Sequence, residues 1–406
     1  MYEEWLPSAD IELEEENPEL TLMLSRLAKK ALDWLDRNVV KPIVQSRDRL
    51  RSLFSIRRAE RGDDYVAVLA VDSTWSKPPL ELVSGLMAII VTGYIVAVPQ
   101  HPGFYGIKYA SLRRSVGEHE ERFSLSVELK AKVLEFVTAR RELINHSFVD
   151  LVLIDGPLFP GATLPQFYDP RGLADPLRHS REAYGRELAH YVSAALINLL
   201  DDAHDLEKPV VGVVKRVSSR FLYRKLVDAG LLGAAEALRR SNDKTLMSFV
   251  LRPGEYTVVG DFYTLLIESL RLRGQKRLVN ILEESCRGAL GELPQRLCSY
   301  MRDTAVVYYM PSQDLVYPQA IRLDIYPSSR VEEVVSYAIS DTSHNAVPTP
   351  IDLVDRFVRI EASAIRRFHI LLQAYAQQDN VKLVVGLTNP QKLYLYKRSE
   401  RSASME

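Results

Sequence analysis

The sequence predicts an α/β protein, and three apolar runs carry that prediction. Tyr65 to Val71 ends at Asp72, Val149 to Ile154 ends at Asp155-Gly156, and Pro209 to Val214 ends at Lys215-Arg216. Runs this apolar and this short suit strands covered on both faces. Between them lie helical patterns: Phe123 to Asn145, with Val127, Leu134, Val137 and Leu143 among its apolar positions, and Arg181 to Leu200. Strands separated by helices give a sheet flanked by helices. Ligands bind such sheets at the carboxyl ends of strands, where Asp72, Asp155 and Lys215 all fall.

The remaining elements follow in order. Residues 1–18 read as irregular and acidic. From Glu19 to about Arg37, Leu20, Leu24, Leu27, Ala31 and Leu35 recur at helical spacing, so an amphipathic helix is expected that must pack either on the body of the protein, the favoured reading, or on a partner. Residues 38–62 read as basic and helical, which makes 1–60 an N-terminal helical arm. Leu82 to Val98 reads as two strands meeting at Thr92-Gly93. After Asp155 comes a loop carrying Pro157, Pro160, Pro165, Pro170 and Pro176. Loops this long are usually functional or disordered. Residues 226–300 read as a helical insertion within a body spanning 61–390. Ala305–Met310 and Ala320–Tyr326 read as strands, Val331–Ile339 and Ile351–Tyr375 as helices, Val381–Leu387 as a last strand and 391–406 as a tail.

Composition narrows the class. The chain has 406 residues, 47% hydrophobic and 26% charged, enough for a full core without cross-links. Its two cysteines, Cys286 and Cys298, have no His or Cys cluster around them, which argues against zinc and for a reducing, cytoplasmic setting. No basic-then-apolar leader opens the chain. The uncharged stretch Leu82–Gln100 is rich in β-branched residues and reads as sheet, not as a membrane span. A net charge of −1 provides no global attraction to nucleic acid, so any such binding must come from local basic surface. Walker A, dinucleotide-binding and Gly-x-Ser-x-Gly patterns are all missing. The histidines of helix 181–200 and His369 read as ordinary surface or core residues.

Aspartate is disfavoured in strands, yet Asp72 and Asp155 close two of the most apolar runs in the chain. A third carboxylate is expected from the helix before the second strand. That strand rises roughly 20 Å from Val149 to Asp155, which takes roughly 13 helical residues plus a turn to retrace. The ruler points to Glu128, with Glu118, Glu120 and Glu121 as competitors and Glu135 placed too deep beside the sheet. Hard oxygen ligands suit Mn²⁺ or Mg²⁺. Two such ions can activate water and stabilise the leaving oxygen of a phosphodiester.

Basic residues follow the third strand. Residues 208–227 hold Lys208, Lys215, Arg216, Arg220, Arg224 and Lys225 and no acid. Lys215, Arg216 and Arg220 are the expected contacts to a DNA backbone. Arg271, Arg273, Lys276 and Arg277 form a second, less telling cluster.

These motifs resemble a family. Val68-Leu-Ala-Val-Asp72-Ser-Thr, Leu151-Val-Leu-Ile-Asp155-Gly-Pro-Leu158, Val211-Gly-Val-Val-Lys215-Arg-Val-Ser-Ser and Val347-Pro-Thr-Pro-Ile-Asp-Leu-Val-Asp355-Arg, in that order, are similar to the NurA nucleases of archaea and some bacteria. The resemblance covers about residues 60–390. It implies an RNase H-like mixed sheet flanked by helices and a homodimer with a central channel. It also implies a Mn²⁺-dependent 5′–3′ exonuclease and single-strand endonuclease, partnered by the HerA hexameric ATPase in resecting broken DNA ends. Carried over by position, Asp72, Asp155 and Asp355 are metal ligands, with Glu128 as the helix ligand. The chain departs from the family at Val347, where Tyr is frequent, and at Asp355, where some members have His. His344 lies nearby and reads as a surface residue. A catalytically weak adaptor for a HerA-like ATPase and a transposase- or resolvase-like phosphoryl transferase are the alternative readings.

Overall fold

The computed structural model describes residues 18–60, 67–99, 101–115, 120–161, 179–311 and 319–378. In chain order the elements are α1 (Pro18–Leu35), a π-helical turn (Asp36–Val40), α2 (Lys41–Gln45), α3 (Arg47–Leu53), β1 (Arg57–Arg58), β2 (Val68–Trp75), β3 (Leu80–Leu82), β4 (Gly85–Val98), β5 (His101–Arg114), α4 (Glu120–Asn145), β6 (Leu151–Asp155), α5 (His179–Asp205) and β7 (Val210–Val214). There follow α6 (Tyr223–Asp228), α7 (Leu232–Arg239), α8 (Asp243–Val250), β8 (Glu255–Asp261), α9 (Phe262–Leu272), α10 (Lys276–Cys286), α11 (Glu292–Arg302), β9 (Ala305–Tyr309), β10 (Ile321–Tyr326), α12 (Val331–Ser340), α13 (Thr349–Val358) and α14 (Ala362–Gln378).

Among the described residues, all ten strands join one mixed sheet, ordered β1-β8-β9-β10-β7-β6-β2-β4-β3 with β5 on β4. At its centre β2, β6 and β7 run parallel, and β4 and β10 flank them antiparallel. The run β5-β4-β2-β6-β7 has three antiparallel strands followed by two parallel to the first, the RNase H-like order expected of the resemblance. The three predicted apolar runs are these central strands.

Side-chain alternation divides the sheet into two faces. Leu69 and Val71 face α4 and α5 in the larger core, with Phe136, Leu143 and Leu196. Val68, Ala70, Leu151, Leu153, Val211 and Val213 face the opposite way, onto Val335, Ile351 and Val354 of α12 and α13.

Four expectations change. Leu82–Val98 is not two strands: β4 runs unbroken from Gly85 to Val98, and Thr92/Gly93 marks only a register shift against β5. A Cβ on Gly93 would lie 2.8 Å from Val358, so the glycine is there for close packing of α13, not for a turn. The insertion at 226–300 is not purely helical, because β8 crosses it and joins the main sheet. The helix at the N-terminus forms but does not pack on the body: Leu20, Leu24, Leu27 and Leu35 are 50%, 51%, 58% and 46% exposed, and burial begins only at Val39. An apolar stripe establishes that a helix has a side to cover, not what covers it. Last, Cys286 and Cys298 are joined in a disulfide between α10 and α11, Cα atoms 5.3 Å apart. Scarcity of cysteine did not foretell that bond.

The expected strand Val381–Leu387, the tail, residues 1–17 and the proline loop from 162 to 178 lie outside the described residues. Among the described residues, no helix is long and apolar enough to cross a membrane.

Candidate metal centre

Asp72 and Asp155 are neighbours because their strands are. The parallel register pairs Val68 with Leu151 and Val71 with Ile154. One step further sets Asp155 beside Asp72. By the two-residue period both share a face with Val68 and Leu151, the face that α13 covers. Helix α13 delivers Asp355 to it, passing close over Gly93, the partner of Asp72 across β2 and β4. Carboxylate oxygens of Asp72, Asp155 and Asp355 all lie within 4.8 Å of one another.

Lys215 continues the same period one residue past β7. Its ammonium sits 2.7 Å from Asp155 Oδ2 and 2.8 Å from Asp355 Oδ2. Burial works against this ammonium, but the two carboxylates outweigh it and hold its pKa above the ordinary lysine value.

From the opposite face, α4 contributes Glu135 and Lys132. Ser73, pointing the other way from Asp72, donates its hydroxyl to Glu135 Oε2 at 2.8 Å. Lys132 Nζ lies 2.5 Å from Glu135 Oε1 and donates to the backbone carbonyl of Asp155 at 2.7 Å. Glu135 is 1% exposed. Burial raises its pKa against the opposing pull of Lys132.

Glu128 is not at this centre. Its side chain is 53% exposed and pairs with Lys77 at 3.3 Å. The ruler failed at its starting point. β6 begins at Leu151, not Val149, so reaching Asp155 takes only about 13 Å, and ten helical residues back from Asn145 span about 15 Å. That arithmetic selects Glu135. Glu120 and Glu121 are exposed at the start of α4, and Glu118 lies outside the described residues.

The other expected residues separate. His344 is exposed, and Val347 is buried at 2% in the core under α13. Arg216 and Arg220 are exposed, and Arg220 Nε donates to the Ser241 carbonyl. Lys132 was missed altogether. A lysine inside a charged helix gives no sign in sequence that it turns inward.

The electrostatics suit a divalent cation. Burial, then repulsion from Asp155 and Glu135, pushes the Asp72 pKa up to about 8, with Lys132 opposing. Burial also raises that of Asp155, against Lys215 and Lys132. Carboxylates crowded and desolvated in this way resist ionising without a further cation beside them, and their donors are all oxygen. That is the ligand chemistry of Mn²⁺ and Mg²⁺.

Comparison with known proteins bears on the family and the fold. The NurA domain family matches residues 91–360. The crystal structure of the NurA nuclease from Sulfolobus solfataricus superposes with a TM-score of 0.52 at 11% identity, covering 89% of this chain and 97% of that one. A NurA structure bound to dAMP and manganese gives 0.50 at 11% identity, covering 87% and 97%. No curated protein sequence matches the chain.

Proposed function

The chain belongs to the NurA family, and from that premise we propose that it is a metal-dependent DNA nuclease hydrolysing phosphodiester bonds at Asp72, Asp155 and Asp355. The observation that carries this reading is the convergence of three carboxylates from β2, β6 and α13 within 4.8 Å. Mn²⁺ is the proposed ion, with Mg²⁺ as a substitute. When bound, such ions activate water and offset the charge that builds on the phosphate.

The chain's own residues do the rest. Asp72, Asp155 and Asp355 hold the ion, and Glu128 has no part in it. Glu135 and Lys132 brace the cluster from behind through Ser73 and the Asp155 carbonyl. Lys215, already between Asp155 and Asp355, offers its ammonium to a phosphate oxygen drawn to the centre. Arg216 and Arg220, on the segment after β7, contact the DNA backbone.

The finer reading follows the family. The activity is 5′–3′ exonucleolytic and single-strand endonucleolytic with two ions, in a cytoplasmic homodimer that resects DNA ends beside a HerA-type hexameric ATPase. Residues 1–60 form the arm and 61–390 the nuclease body. The test is end-labelled single- and double-stranded DNA with Mn²⁺, Mg²⁺ or chelator, using wild type, Asp72→Ala and Asp155→Ala. Metal-dependent degradation lost in both folded variants supports the reading. No degradation, even with a HerA-type hexamer added, turns it to an adaptor.

A further inference from the structure

Beside the carboxylate cluster opens a cleft of about 480 Å³, bordered by Lys215, Arg216, Ser218, Asn242, Lys244 and Thr245. None of the described residues around it carries a carboxylate. Lys215 joins the two sites: its ammonium lies among the carboxylates, and its backbone carbonyl accepts a hydrogen bond from Lys244 Nζ at 2.7 Å.

Lys244 is the unusual member. It is half-buried, and burial alone lowers its pKa. No acid among the described residues forms an ion pair with it. The adjacent Asp243 is fully buried and turned away, accepting from Ser219 Oγ and the amides of Phe221 and Leu222. Removing a cation from water without a counter-charge is costly, and an anionic ligand in the cleft would supply that charge. Asn242 adds direction. Its side-chain oxygen caps α8 by accepting from Thr245 N and Thr245 Oγ1, which leaves its amide NH₂ to donate. Exposed Arg216 supplies a second cation at the rim.

We propose that this cleft is a phosphate subsite, gripping the DNA strand at the phosphate next to the one being cleaved, with Lys244 and Arg216 as its cations. The inference rests on the nuclease reading and names how a polynucleotide, as opposed to a single nucleotide, is held. Lys215 then spans two consecutive phosphates. Its ammonium serves the reacting one, and its main chain orients Lys244 toward the next.

The experiment separates the subsite from catalysis. Binding of a fluorescein-labelled dT20 strand is followed by anisotropy in EDTA, over a range of salt, for wild type, Lys244→Gln, Lys244→Arg and Arg216→Gln. Each Gln variant is expected to bind about tenfold more weakly, with a salt slope shallower by about 0.7, and Lys244→Arg to recover most of the loss. In Mn²⁺, the gain in kcat/KM from a dinucleotide to dT20 is expected to shrink by a similar factor. Arg216 is exposed, so its variant guards against misfolding as the cause. If both Gln variants keep wild-type affinity and salt slope, the subsite is overturned whether or not the protein cleaves DNA. If binding falls as expected and no cleavage occurs in any metal, the subsite stands and the nuclease reading fails.

Discussion

The Lys132 ammonium donates to the backbone carbonyl of Asp155 at 2.7 Å while lying 2.5 Å from Glu135 Oε1. A pair on α4, with Glu135 buried and Lys132 partly so, thereby fixes the end of the strand that presents Asp155 to the other face. Glu135 is almost wholly enclosed, so Lys132→Met leaves a carboxylate without its cation. The expected cost is about 3 kcal/mol. The double variant Lys132→Met/Glu135→Gln should recover much of it, because no charge is then stranded. Urea denaturation of the single and double variants gives the coupling. Equal losses in both would show that the pair is not what holds this strand end.

The carboxylate cluster predicts a division among the acids. Asp72→Asn and Asp155→Asn should each lower cleavage by at least about a hundredfold and abolish Mn²⁺ binding measured by calorimetry. Glu128→Gln should change both by less than about twofold, since an exposed pair with Lys77 is worth ~0–1 kcal/mol. A Glu128 variant that lost Mn²⁺ would return that residue to the ligand set.

Asp72, Asp155 and Lys215 were legible because each closes an apolar run, although β2 continues past Asp72 to Trp75. Their sharing of one face follows from the two-residue period once the register is known. Asp355 was reached only through the family resemblance: it lies on a short helix whose approach depends on Gly93, in a strand some 260 residues earlier in the chain. Glu135 was set aside partly by an error of two residues in where β6 begins, which shifts the helical ruler by about one turn, and partly by the allowance made for the turn between helix and strand. Strand β8 was missed because it is flanked by helices on both sides. Its burial does not alternate either, since Tyr256 and Thr257 are buried in succession. Lys244 pairs with a backbone carbonyl, a contact with no sequence signature.

Protonation of Asp72 couples folding to pH. Its folded pKa of about 8 lies above the ~3.9 of an unfolded aspartate. The folded, metal-free protein therefore holds a proton the unfolded chain has released. The stability this contributes is present at low pH and is lost as pH rises toward 8 and beyond. Asp72→Asn lacks that dependence, so its stability relative to wild type should increase from pH 5 to pH 9 in EDTA. Mn²⁺ binding near pH 7 should release protons, seen as a buffer-dependent heat in calorimetry that fades by pH 9. A difference between variant and wild type that stays flat with pH would show that Asp72 is ionised throughout.

Arg322 and Asp324 form a buried ion pair on the face opposite the carboxylates. Arg322 is 5% exposed, lies 2.7 and 3.0 Å from the two oxygens of Asp324, and stacks 4.9 Å above Phe221 and 5.6 Å from Phe262. Asp324 also accepts from the Leu158 amide, on the loop that leaves Asp155. That loop crosses β7 at Gly212, where a Cβ would meet Leu158 N at 2.4 Å. A planar guanidinium satisfies this site through two parallel hydrogen bonds and two aromatic faces, and an ammonium can do neither. Arg322→Lys therefore keeps the charge but should still lose about 2–3 kcal/mol of stability in chemical denaturation. Proton exchange at the Leu158 amide should also accelerate, because its acceptor is no longer held in place. A lysine variant as stable as wild type would mean that charge alone, without the planar fork, secures the loop behind the metal centre.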